Sequence, residues 1–167
     1  MVTIFRSGTD ASNPFYVTLG QIYTSIQNGK YQKQIEIIRA TPDKIKRDAL
    51  KLKLPTICFS GEFTHRANAS IIKHYGFTVV DFDHIEDMES FWLEITNDEY
   101  THMAFRSPSG DGVKVVVKIP ANIETHRQSC RALQEYYHHS NLDQFDDEAR
   151  ACFVSYDPNI FWNKGSV

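Results

Sequence analysis

The run Phe77-Thr78-Val79-Val80-Asp81-Phe82-Asp83 constrains this 167-residue chain more than any other stretch. It is apolar and ends in two carboxylates spaced i and i+2. Along a strand alternate side chains share a face, so Asp81 and Asp83 project together while Val80 and Phe82 face the other way. Two parallel carboxylates at a strand end suit a divalent cation. A solvated turn after an ordinary strand would carry the same triplet, so the meaning of the pair depends on the rest of the chain.

The length fits one domain, which at this size buries roughly 70% of the surface its unfolded form exposes. Cys58, Cys130 and Cys152 are odd in number, far apart and without a C-x-x-C partner. That pattern argues against a disulfide framework and a structural zinc site, and it fits buried thiols in a reducing cytoplasm. The N-terminus, Met1 to Ser7, lacks the apolar core and cleavage site of a signal peptide, and no window has the run of apolar residues that spans a membrane. A soluble cytoplasmic protein with no membrane partner is expected. The net charge of −3 excludes a general nucleic-acid coat but leaves room for a local basic groove.

The first 30 or so residues read as an edge element, a short helix around Leu19 to Ile26, and a turn. Lys33 to Arg39 fits a strand or a helix start. Thr41-Pro42-Asp43 supplies an N-cap and an early proline for a helix over Lys44 to Leu52 that is rich in lysine and arginine. That basic face could meet phosphate or simply water. Thr56 to Ser60 reads as a buried strand, and Ala67 to Tyr75 as a helix closed by Gly76.

From Phe77 onward the pattern is more regular. A strand over 77–83 is followed by a helix from about Glu86 to Thr96, strands over Tyr100 to Arg106 and Gly112 to Ile119, a helix from about Ile123 to His139, and a strand from about Arg150 to Ser155. The order βαββαβ over about 77–156 is the split arrangement of ferredoxin-like and RNA-recognition-like domains. The expectation is therefore one α+β domain over 1–167, with an N-terminal α/β part (1–76) and an RNA-recognition-like part (77–163). In that arrangement the first and third strands are central neighbours, the final strand borders the first, both helices cover one face and the other face is open. Lys114 and Lys118 alternate with Val113, Val115, Val117 and Ile119, so Lys114 is expected on the open face with Asp81 and Asp83.

Two further segments carry chemistry. Ser107-Pro108-Ser109-Gly110-Asp111-Gly112-Val113-Lys114 is a glycine-rich turn feeding a strand. Its glycines admit close approach of backbone N–H groups to an anion, its serines add donors, and Lys114 adds counter-charge; an ordinary hairpin loop has the same composition. The segment Asn141 to Pro158 sets Asp143, Asp146, Asp147 and Glu148 around Arg150. Asp143 could complete a carboxylate trio with Asp81 and Asp83, and Arg150 would point at phosphate or pair with an acid. Phe105, Tyr156, Phe161 and Trp162 could stack bases or lie in the core.

Taken in order, Val80-Asp81-Phe82-Asp83, the Ser107-to-Lys114 motif and Arg150-x-x-Phe153-Val154-Ser155-Tyr156-Asp157-Pro158 resemble the motifs of the archaeo-eukaryotic primase superfamily. More narrowly, they resemble the VirE N-terminal domain at the head of helicase-containing proteins of Bacteroidetes and their mobile elements. The resemblance covers about residues 45–163. It implies a primase-polymerase fold and a DNA primase or polymerase acting in mobile-element replication by a two-metal mechanism. Asp81, Asp83 and Asp143 would hold Mg2+ or Mn2+, and Ser107, Ser109, Gly110, Gly112, Lys114 and Arg150 would contact a nucleoside triphosphate. Single-stranded DNA and a helicase domain in the same or an adjacent chain would be partners. Asp157 also looks characteristic of the family, as an alternative third acid.

One departure matters: many primases of that superfamily have histidine where this chain has Lys114. The alternative expectation is a non-catalytic nucleotide or single-stranded nucleic-acid binding module with the same fold. A haloacid-dehalogenase-like phosphatase also uses D-x-D after an apolar strand, but it expects Ser or Thr close downstream, and His84-Ile85-Glu86 supplies neither.

Overall fold

The computed structural model describes residues 1–167, which form five α-helices and three antiparallel sheets. Strand β1 (Val2–Phe5) lies between β2 (Phe15–Val17) and β3 (Thr56–Cys58). Helix α1 (Leu19–Gln27) starts at a capping box in which Thr18 and Gln21 satisfy each other's backbone N–H groups, and it buries Ile22 and Ile26 one turn apart. Residues 32–40, open to two readings from sequence, form α2 (Gln32–Ala40) because Ile35 and Ile38 share a buried face. Helix α3 (Lys44–Lys51) is capped by Asp43 and buries no side chain, with Asp48 paired to Lys44 at 2.6 Å and to Lys51 at 3.3 Å.

The expected helix over 67–75 is not formed. A single 3-10 turn (Asn68–Ser70) leads into β5 (Ile71–His74), which makes a hairpin with β4 (Gly61–Phe63). Pairing decides the matter: Gly61 sits so close to β5 that a Cβ there would lie 2.0 Å from the Lys73 carbonyl oxygen. Ile71 meanwhile packs on Phe5, Cys58 and Phe63. Gly76, at φ 77°, turns the chain out of the hairpin rather than ending a helix.

Strand β6 (Phe77–Phe82) pairs along its length with β8 (Val113–Lys118), which also pairs with β7 (Thr101–Arg106). Helices α4 (Met88–Asn97) and α5 (Ile123–Tyr137) start at Asp87 and Asn122 caps. They cover the face bearing Val80, Phe82, Val113, Val115 and Val117, to which they contribute Phe91, Ile95, Cys130 and Leu133. The first and third strands of the expected unit are thus neighbours, with both helices on one face.

Two expectations about this unit are corrected. The final strand does not border β6. Only Cys152–Phe153 (β9) is extended there, and it pairs with β3 in the first sheet, giving β2-β1-β3-β9. The place beside β6 is taken by residues 141–143, through a bridge between Phe82 and Leu142 and bonds from Asp83 N–H to the Asn141 carbonyl (3.0 Å) and Asp143 N–H to the Asp81 carbonyl (2.9 Å). Past β9, β10 (Phe161–Trp162) returns to the outer edge of β7, so the second sheet runs β10-β7-β8-β6.

Nor is the second face of this sheet open. Val79, Met103, Phe105 and Val116 share one core with Val2, Ile22, Ile26, Ile35, Ile38 and Ile57. The N-terminal part supplies this cover because α1 and α2 each present a two-isoleucine stripe that must leave water.

Candidate functional site

Asp81 is the last residue but one of β6, and register places Lys114 of β8 directly opposite it. The Lys114 Nζ lies 2.9 Å from Asp81 Oδ1. Arg150, at the start of the segment leading into β9, places Nη2 2.8 Å from Asp81 Oδ2 and 2.8 Å from Asp143 Oδ2. The result is a chain of alternating charge, Lys114, Asp81, Arg150, Asp143. Its first three side chains are 12%, 9% and 14% exposed, and Asp143, at 56%, opens it to water. Arg150 also lies over the Phe145 ring at 5.2 Å.

Burial pulls the Lys114 ammonium and the Arg150 guanidinium toward neutrality. Burial is the largest single effect on each. The surrounding negative charge and hydrogen bonds, led by Asp81 and for Arg150 joined by Asp143, together outweigh it, so each stays above its ordinary pKa. Cys152, fully enclosed beside this cluster, is pushed up to about 12 by burial and by the charge of Asp81. It is therefore an inert neighbour rather than a nucleophile.

Asp83 lies past the strand end, half-buried and without an ion pair, with its carboxylate against Gly112. Asn141 Nδ2 donates to the Asp83 and His84 carbonyls at 2.8 Å each. His84, at φ 55°, turns the backbone so that its Nδ1 meets Asp111 Oδ2 at 2.8 Å, tying this loop to the Ser107–Gly112 turn.

Within that turn the expected phosphate contacts divide. Ser107 is buried and its hydroxyl accepts the Gly112 N–H, so it closes the turn. A Cβ at Gly112 would lie 2.5 Å from the Phe82 carbonyl oxygen, so only glycine lets the turn pack on β6. Gly110, at φ 84°, sits at the tip, where a Cβ would be 3.2 Å from Arg39 Nε. The Ser109 and Asp111 amides and the Ser109 hydroxyl find no protein acceptor or donor.

The structure therefore brings Asp81, Asp143, Lys114 and Arg150 into direct contact, sets Asp83 and Gly112 beside them, and puts Ser109 and Gly110 at the far end of the turn. The oxygen donors suit a hard cation, and Asp81 Oδ1 is buried without a hydrogen bond. Both Asp81 oxygens nevertheless face resident cations, and no three His, Cys, Asp or Glu side chains lie close enough together to hold a metal ion. As arranged, these residues do not form a ready metal site.

Arg39 escapes sequence reasoning, and Asp157, offered by the resemblance as an alternative third acid, takes a different place. Arg39, on α2, donates from Nη2 to the carbonyls of Ser107 and Tyr156, both at 3.0 Å, across 68 and 117 residues of chain, and no local motif marks it. Asp157 stands apart from Asp81: its Oδ2 accepts the Arg106 N–H at 2.8 Å, and Ser155 Oγ donates to the Arg106 carbonyl at 2.6 Å, so this segment clamps the end of β7. Of the aromatic residues, Phe105 is fully buried and Trp162 packs on Tyr23 with its indole N–H given to His102, while Tyr156 stays half-exposed.

The family model of the BT4734-like, N-terminal domain matches residues 49–162. The chain belongs to that family. The matched segment of this BT4734-like domain carries Asp81, Asp83, Lys114, Asp143 and Arg150, whereas Arg39 comes from outside it. No curated protein and no solved structure matches the chain.

Proposed function

We propose that this BT4734-like domain is a nucleotide or single-stranded nucleic-acid binding module that works without metal-dependent nucleotidyl transfer. The observation that carries this reading is the engagement of both Asp81 oxygens by Lys114 and Arg150. It makes the acids structural groups, joining β6, β8 and the 141–150 segment. Phosphate recognition is supported instead at the tip of the Ser107–Gly112 turn, where two amides and a hydroxyl are free around a glycine.

The test is anisotropy titration of a labelled oligothymidylate, and calorimetric titration of a nucleoside triphosphate, with manganese and with EDTA. Equal binding in both conditions and no primer synthesis are expected. Absence of binding in both conditions, or manganese-dependent synthesis lost in Asp143→Asn, would overturn the proposal.

The second reading is the primase or polymerase implied by the sequence resemblance, with a helicase as its partner. It is favoured by the convergence of Asp81, Asp83 and Asp143 from two distant segments at one end of β6. It requires Lys114 and Arg150 to release Asp81.

A further inference from the structure

Arg39 leads from the tip of the turn into a cleft of about 350 Å³, lined by Arg39, Trp92, Arg106, Tyr156, Asp157 and Asn159. Two guanidinium groups share it. Burial, and then the charge of Arg106, pull Arg39 toward neutrality, while Asp157 holds it charged; the balance leaves Arg39 below its ordinary pKa. Asp157 is the only carboxylate lining the cleft, and its two oxygens already accept the N–H groups of Arg106 and Asn159. One positive charge is left over.

The arginines differ in freedom. Arg39 is fixed by two carbonyls, with its Nε–H buried and unpartnered. Arg106, exposed at the end of β7, has a guanidinium with no ion pair or hydrogen bond to the protein. A fixed guanidinium orients a ligand and a free one closes on it. Beside them the rings of Trp92 and Tyr156, both half-buried, offer flat apolar surface.

Surplus guanidinium charge next to aromatic faces is the chemistry that takes a phosphate and a planar base together. We infer that this cleft holds one nucleotide unit, with its phosphate on Arg106 and Arg39 and its base against Trp92 or Tyr156. The inference rests on the binding-module reading and names the residues that would recognise the ligand. The unit could belong to a single strand or be a free nucleotide; both present the same groups.

The experiment measures anisotropy of a labelled oligothymidylate with the full chain, with Arg106→Gln, with Trp92→Leu and with Lys46→Gln on α3, each checked for folding by circular dichroism. Free thymidine monophosphate is the competitor. Arg106→Gln is expected to weaken binding at least about tenfold, and to reduce the slope of log K against log salt by about 0.7, one phosphate contact on a single strand. Trp92→Leu is expected to weaken binding with no change in that slope, and Lys46→Gln to leave it as in wild type. Competition by the mononucleotide at comparable affinity assigns the cleft to free nucleotides; competition only at far higher concentration assigns it to a strand.

Wild-type binding that survives Arg106→Gln undiminished would overturn the cleft assignment while leaving the module reading intact. Loss in Lys46→Gln with an unchanged Arg106→Gln would do the same and move the site to α3. No wild-type binding to either probe would overturn both.

Discussion

Replacing Asp81 with asparagine tests whether the charged cluster holds the fold together. The substitution keeps the shape and removes the charge. At an effective dielectric constant near 20, each contact of Asp81 with Lys114 (2.9 Å) and Arg150 (2.8 Å) is worth about 6 kcal/mol of attraction before desolvation is subtracted. Desolvation cancels most of that in the intact pair, but removing one partner leaves the other buried and uncompensated, at a cost of about 3–5 kcal/mol. Arg150 retains Asp143, whereas Lys114, 12% exposed, retains no carboxylate at contact distance, so most of the cost falls on Lys114. Adding Lys114→Met to Asp81→Asn removes the stranded charge, and the double variant should be more stable than the sum of the single losses by roughly 1–3 kcal/mol. Urea unfolding at neutral pH, followed by circular dichroism, measures all three variants. An Asp81→Asn protein within about 1 kcal/mol of wild type, or strict additivity in the double variant, would refute the argument.

Two further outcomes follow from buried histidines and close glycines. His74 and His126 face each other at 2.9 Å between nitrogens, and burial lowers the pKa of both, as it does for His102. The unfolded chain takes up these protons first, so their stabilising effect is complete above about pH 6.5 and is lost as pH falls through the lowered native values. Denaturant melts from pH 8 to 5 should show that decline, and a His74→Asn/His126→Asn variant should show a shallower one; equal slopes would refute it. Gly61→Ala should cost roughly 2 kcal/mol or more by forcing β4 from β5, whereas Gly20→Ala, whose Cβ meets nothing nearer than 3.7 Å, should be neutral or stabilising in α1. Equal melting temperatures for the two variants would count against the β4–β5 hairpin.

Much of the second sheet was legible because β6, β7, β8, α4 and α5 are long enough to show their period. Parity along β8 put Lys114 on the same side as Asp81, and the register confirms that placement. Arg150 pairs with acids, one of the two roles its position allowed. Parity could not show that this side is covered, since the cover comes from isoleucines of α1 and α2 that are remote in sequence. The strand at Ile71–His74 was missed because its partner, not its own pattern, fixes its conformation. β9 has two residues and no period to read, so its pairing with β3 rather than β6 lay outside local reasoning. The cleft was missed for the same reason: α2, the end of β7, α4 and the turn after Tyr156 meet only in the folded chain.

Between β9 and β10 the chain crosses from one sheet to the other within a dozen residues, and both sheets contribute to one shared core. The matched stretch, 49–162, includes both of these strands and β3, yet β1 and the stripes of α1 and α2 lie before it. Cut at residue 49, the chain would keep its family signature and expose Ile57, Val79, Met103, Phe105 and Val116 to water. For this protein the segment that carries the family match is smaller than the segment that closes the shared core, and the residues before 49 supply both that apolar lid and Arg39.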